Sequence, residues 1–276
     1  MIMTESIIKD RIITYQGDEY GIRKAHNLLL LLLEKLDDHC KFYGLSYSLA
    51  YGSMLGCVRE KGFIPWDDDV DIVMKRKDYD RFFSSLEEGK TQLSKDCFVE
   101  SPVYMKKLHD KTTGDIPVFV DLYAADSVPN NWLKRRIKYV VVQFVKEVIK
   151  GRQGRRNLLP GMIHSFRRII AYCISFPFSN EQIRRLYTKV ATWGNGKDTT
   201  RLSSYCSGYK SYGKYYPAEI YENIQYLPFE DIKMPVVGDY DLYLSKEYGQ
   251  NYMTPPPQSK RNPVHIKKYK QNRNIN

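Results

Sequence analysis

Residues 51–74 read YGSMLGCVREKGFIPWDDDVDIVM. Asp67, Asp68, Asp69 and Asp71 put four acids in five positions, and Asp69 and Asp71 alternate with the apolar Val70 and Ile72. Such alternation predicts a strand over residues 69–74 that turns both carboxylates to one side while its apolar side chains enter the core. Two carboxylates ~4 Å apart, at an effective dielectric of about 20, repel by on the order of 4 kcal/mol. A hard divalent cation, which takes oxygen ligands, would offset that repulsion. Ahead of the acids, residues 45–50 predict a strand, 51–53 a turn, 54–58 the start of a short helix and 63–66 a loop. At the turn, Gly52 lets backbone come close to a ligand and Ser53 adds a hydroxyl, so its N–H groups could hold phosphate oxygens.

Working outward, residues 19–43 carry leucines at helical spacing and end at Gly44, a residue that closes a helix without strain. The leucine run is too short to span a bilayer and reads as a core helix. Residues 78–86 have helical spacing, with Asp78 and Asp80 at its start. The run VFVDL, residues 118–122, predicts a third strand with Asp121 between apolar neighbours as a third carboxylate. Two apolar stretches follow, at 139–149 and 169–178, framed by Lys134, Arg135, Arg136, Arg152, Arg155, Arg156, Arg167 and Arg168. From about Tyr205 the chain is rich in tyrosine and proline, and coil wrapping the domain is expected there. Past His265 a basic, disordered tail is expected.

The 276 residues, 42% hydrophobic and 27% charged, suit a globular chain with a sizeable core. The polar N-terminus predicts no secretory signal, and no run of 18 apolar residues is present to cross a membrane. Five cysteines, at 40, 57, 97, 173 and 206, are odd in number and lack metal-ligand spacing, which predicts reduced thiols and a cytoplasmic location. The net charge of +11 is concentrated: residues 133–214 hold 18 Lys or Arg against Glu147, Glu181 and Asp198. That segment is expected to face an anionic surface. Its aliphatic runs suit a membrane interface better than a nucleic-acid backbone, so no nucleic-acid partner is expected.

A Gly–Ser turn, then Asp–apolar–Asp–apolar on a strand, then a lone acid on a later strand resembles the nucleotidyltransferase superfamily typified by DNA polymerase β. Residues 52–72 more closely resemble the signature of the LicD family, the phosphorylcholine transferases of bacterial surface glycans, to which fukutin-related protein is also similar. Lys107, Leu108, His109, Asp110 and Thr113 resemble that family's Lys-x-Arg-Asp…Thr element, and residues 121–126 its Asp-Ile-Phe-Pro-x-Asp element. Tyr240, Asp241, Leu244, Tyr248, Gly249, Tyr252, Met253, Pro256, Pro257 and His265 resemble its closing segment. His109 stands where that family has arginine, and Ala124 and Ala125 replace its Phe-Pro.

The resemblance implies an α+β fold: a nucleotidyltransferase (DNA polymerase β-like) catalytic domain with a basic helical insertion. The catalytic core is expected over residues 1–130, the insertion over 131–200, and a C-terminal segment completing the catalytic domain over 201–276. The implied donor is a CDP-alcohol, typically CDP-choline, and the implied acceptor a sugar hydroxyl of a lipid-linked teichoic-acid or lipopolysaccharide precursor, with CMP released. Asp69, Asp71 and Asp121 are the expected ligands of Mg²⁺ or Mn²⁺ and the catalytic acids, with Asp121 alternatively taking the acceptor proton. Gly52, Ser53, Arg59, Lys107, Trp66, Asp67 and Asp68 form the expected substrate- and phosphate-binding set. Lys61 is a further candidate for phosphate, and Trp66 is read as a core or lid residue. A choline head would need aromatic faces around its quaternary ammonium. The expected location is the inner face of the membrane, peripherally held through anionic lipid. Two other readings stay open: transfer of a nucleoside monophosphate to a small alcohol or antibiotic, and a basic membrane- or RNA-binding protein with a degenerate site.

Overall fold

The computed structural model describes residues 21–100, 105–112, 118–153, 173, 176–196, 200–206, 213–261 and 263. These fall into two compact units. The described residues up to Glu100, from Lys107 to Tyr123 and from Ile220 onward form the first; the second is built mainly from Ala124 to Glu219.

The first unit opens with helix α1 (Ile22–Tyr43), whose leucines bury one face, with Leu29, Leu32, Leu33 and Leu36 fully enclosed. Each such side chain contributes roughly 2 kcal/mol on leaving water. Gly44 closes the helix in the left-handed conformation, φ 58°, its N–H bonded back to the last turn, as the sequence predicts. Strand β1 (Ser48–Leu49) is shorter than the predicted 45–50 and pairs antiparallel with β2 (Val70–Lys75), Leu49 opposite Ile72.

Between them the predicted turn at 51–53 is already helical. Helix α2 (Tyr51–Arg59) starts at Tyr51, which has φ 43°. The ring of Tyr51 packs edge-on to Tyr123 and beside Tyr243, at centroid distances of 5.0 and 6.1 Å, which holds a tyrosine in a backbone region costing of order 1–2 kcal/mol. Helices α3 (Arg76–Glu87) and α4 (Gln92–Asp96) follow, then β3 (Cys97–Glu100) and β4 (Lys106–Asp110), which pair antiparallel. Neither α4 nor this pair was legible in the sequence, because each is short and mixes charge with apolar residues.

Strand β5 (Phe119–Ser127) is longer than the predicted 118–122, and every residue in it is buried. The strand is paired along both edges and covered on both faces, so Asp121, Asp126 and Ser127 are buried with the rest. The strand order in the first unit is β1-β2-β5-β4-β3, so the strand bearing Asp71 lies beside the strand bearing Asp121.

The C-terminal residues of this unit are not simple coil. Strands β8 (Gln225–Phe229) and β9 (Ile232–Val236) form a hairpin, followed by helix α7 (Tyr240–Tyr248), capped by the Asp239 carboxylate accepting from the Leu242 N–H at 2.9 Å. The hairpin supports the loop after α2. Phe63 N–H donates to Glu230 Oε1 at 3.1 Å, and Glu230 N–H donates to the Lys61 carbonyl at 2.7 Å.

In the second unit, the last residues of β5 pair antiparallel with β6 (Arg201–Ser203), which pairs with β7 (Tyr216–Pro217). Helices α5 (Trp132–Gln153) and α6 (Asn180–Ala191) pack together, and Val142, Val145, Ile183 and Tyr187 on them are buried. Two of the basic residues there are internal. The buried Lys138 donates to the carbonyls of Ser127 and Trp193 at 2.6 and 2.8 Å, and the buried Lys146 to that of Tyr205 at 3.0 Å. A buried ammonium needs such acceptors. The apolar stretch at 139–149 lies in α5; most of that at 169–178, and the tail past His265, lie outside the described residues. Among the described residues no helix is long and apolar enough to cross a membrane.

Candidate active site

The site is built where β2 and β5 run side by side. Carboxylate oxygens of Asp69, Asp71 and Asp121 lie within 4.8 Å of one another, and those of Asp67, Asp68 and Asp69 form a second such group. Asp71 is fixed by its backbone as well as its strand: its N–H donates to Ser53 Oγ at 2.9 Å, and its carbonyl accepts the Ala50 N–H at 2.9 Å. These two bonds tie the start of α2 to the acid-bearing strand.

Loss of water raises the Asp71 carboxyl well above the ordinary range; the negative charges of Asp69, Asp121 and Asp67 add to this, and a hydrogen bond from Tyr123 opposes it. Crowded carboxylates that hold one another's protons are relieved by a cation bound through oxygen. The donor set is that of a hard divalent ion such as Mg²⁺ or Mn²⁺.

The remaining candidates are placed as follows. Gly52 is needed for a close approach, but the approaching group is the Asp67 carboxylate: a Cβ at Gly52 would stand 2.5 Å from Asp67 Oδ2. Ser53 is buried, its oxygen accepting from Asp71. The backbone of Asp67 is held by a bond from its N–H to the Ile64 carbonyl at 2.9 Å and by His26 Nε2 donating to its own carbonyl at 2.6 Å. Asp68 is buried and Asp69 half-buried.

Lys107 stands on the third carboxylate, with Nζ 2.6 Å from Asp121 Oδ1 and 3.6 Å above the Phe119 ring centroid. Arg59 turns toward the C-terminal residues, with Nε on Glu60 at 2.7 Å and Nη1 on the Tyr252 carbonyl at 3.3 Å; its Nη2 is buried without a hydrogen-bond partner among the described residues. Lys61 donates to the Val58 carbonyl at 3.2 Å and so caps the end of α2. Trp66 has the Arg261 guanidinium 4.9 Å from its ring centroid. His109 lies against Phe98 and pairs with Glu100 at 3.0 Å. Asp110 and Asp96 both accept from Lys35, at 2.8 and 2.7 Å, which makes them structural partners.

Tyr123 is a site residue that the sequence reading passed over. It stands two residues beyond Asp121 on β5, so the period of two puts it on the same face, and it hydrogen-bonds Asp71. That spacing was the available signal.

A family model described as "LicD/FKTN/FKRP, nucleotidyltransferase domain" matches residues 44–150, a range that contains all three clustered carboxylates. The lipopolysaccharide cholinephosphotransferase LicD of Haemophilus influenzae is 28% identical over 261 residues, covering 89% of this chain and 96% of its own length.

Proposed function

We propose that this chain, a LicD-family protein, transfers phosphocholine from CDP-choline to a hydroxyl of a cell-surface glycan precursor, releasing CMP. The carrying observation is the convergence of Asp69, just ahead of β2, with Asp71 and Asp121 on adjacent strands, their carboxylate oxygens within 4.8 Å of one another. The sequence similarity to a lipopolysaccharide cholinephosphotransferase along most of both chains supports the choice of group and of acceptor class. On this reading the first unit is a nucleotidyltransferase-type domain, with α2 between two strands, Asp71 on β2, Asp121 on β5 and Asp69 just ahead of β2.

In the reaction the acceptor oxygen forms a bond to the choline-bearing phosphorus, the bond from that phosphorus to the CMP oxygen breaks with its electron pair leaving on CMP, and the proton of the acceptor hydroxyl passes to water. Asp69, Asp71 and Asp121 would hold Mg²⁺ or Mn²⁺, whose chemistry when bound is to neutralise charge on the diphosphate and the departing CMP. Ser53 and Ala50 hold Asp71 in place through its backbone, and Tyr123 steadies its carboxylate. Lys107 balances charge at Asp121 and leaves that carboxylate oriented toward the other two. The uncapped start of α2, lying next to Asp71, offers backbone N–H groups of the kind that bind phosphate oxygens.

The test is CMP release from CDP-choline in the presence of a glycan acceptor and divalent cation, with the acceptor's mass followed. A gain of phosphocholine supports the reading. A gain of a nucleoside monophosphate would assign nucleotidyl transfer instead.

A further inference from the structure

The residues of α5 divide round the helix axis. On one side Lys138, Val142, Val145, Lys146 and Ile149 are buried; Val148, further along on the line of the other side, is buried too, so the division belongs to the residues ahead of it. On the other, Leu133, Ile137, Val140, Val141 and Phe144 are each between 37 and 51% exposed. At 100° per residue these five share an arc of about 100°, the width by which an amphipathic helix covers an apolar phase. Lys134 and Arg136, both exposed, stand at its two edges, and Trp132 is exposed at the first position of the helix. Exposed apolar side chains scattered singly need no explanation, but five on one face of one helix do.

We infer that this face of α5 binds an anionic lipid surface, with the apolar arc at the acyl boundary and Lys134 and Arg136 among the headgroups. Charge selects the occupant. Residues 133–189 carry 14 Lys or Arg against Glu147 and Glu181; with the internal Lys138 and Lys146 set aside, 12 remain, and Glu181 is engaged within α6 by Arg184 and Arg185 at 3.4 and 3.0 Å. A second copy of the chain would bring the same positive charge to the contact, and so would residues 154–172, which hold four arginines and no acid. A nucleic-acid backbone would meet the arc with charge rather than hydrocarbon. Anionic lipid alone offers negative headgroups over an apolar layer, and attraction to it extends over a Debye length of ~8 Å at physiological salt. No described helix is apolar enough to cross, so the attachment is in the plane of the interface.

The test uses the full chain and sedimentation with phosphatidylcholine vesicles, with and without about one third phosphatidylglycerol. Pelleting with the anionic vesicles at low salt, weakened about tenfold at high salt or on neutral vesicles, is expected. The pair Val140→Asp and Phe144→Asp, and separately Lys134→Glu with Arg136→Glu, should each weaken binding by about tenfold with the melting temperature kept. No pelleting on anionic vesicles overturns the proposal, as does pelleting that neither pair alters. So does a dimer in light scattering that the aspartate pair dissolves, which would assign the face to a second copy. Binding is measured with no donor or acceptor present, so its outcome is separate from that of the proposed reaction.

Discussion

Asp71 carries both the most crowded carboxylate of the site and the backbone ties that position it. Asp71→Asn keeps the size of the side chain and leaves the backbone bonds to Ser53 and Ala50 in place. It removes one negative charge from a group held within 4.8 Å. On the proposed reaction the expected result is a loss of CMP release on the order of 100-fold or more, since the proposed cation site would lose a ligand. The melting temperature without added cation should hold or rise, because like-charge repulsion is relieved. Full activity in a folded Asp71→Asn protein would remove these acids from the chemistry. Lys107 shows how a sequence motif can leave a residue's partner open: its position in the resemblance suggested phosphate, and the structure sets its ammonium on Asp121. Nothing in the spacing of residues 107 and 121 foretells that pair, which exists because β4 lies beside β5.

Elements meet here through tight backbone and polar contacts, and two of these make predictions. Gly56 lies inside α2, where alanine would ordinarily add stability through helix propensity. A Cβ there would instead stand 2.5 Å from the Gly62 carbonyl oxygen and 3.0 Å from the Ile64 nitrogen, both backbone. Gly56→Ala should therefore destabilise the first unit by about 1–3 kcal/mol, read as a lower urea midpoint. A stabilised protein would mean that the loop at 62–64 yields freely.

His39 of α1 joins Thr91 Oγ1, the cap of α4, at 2.7 Å and Ser85 Oγ of α3 at 2.8 Å. Burial lowers its pKa from 6.5 to about 4, with the charge of Glu88 opposing. The buried ring is thus neutral where an exposed one would take a proton, and the unfolded chain binds more protons between those values. Stability contributed by neutral His39 is complete above pH 6.5 and is lost as pH falls toward about 4. Urea midpoints measured across that window should decline with acidification, and His39→Gln should flatten the decline. An unchanged slope in His39→Gln would assign the acid sensitivity to other groups.

For the molecule as a whole, binding of a ligand to the folded state alone raises stability by mass action. Mg²⁺ or Mn²⁺ at about 100 times its dissociation constant should stabilise the first unit by about 2.7 kcal/mol, and chelation should reverse it. The shift should vanish in Asp71→Asn, and a shift that survives that change would place the cation elsewhere. Residue pattern alone was enough for the α1 helix and its Gly44 stop, for the strand bearing Asp71, which starts at Val70 and leaves Asp69 just ahead of it, and for the concentration of positive charge after residue 133. These follow from local periodicity and from residue types that leave few alternatives: a period of two sends alternate side chains to one face, and glycine ends a helix cheaply. Only the tertiary structure decided that α2 begins at Tyr51, that Gly52 makes room for Asp67, that Lys138 and Lys146 are spent on internal carbonyls, and that residues 225–248 form a hairpin and helix. Each of those depends on a partner distant along the chain: Tyr243 for Tyr51, Trp193 for Lys138, Glu230 for Phe63. Local pattern carries no information about which distant residue arrives, because packing chooses among partners by shape and by the polar groups that burial leaves unmet.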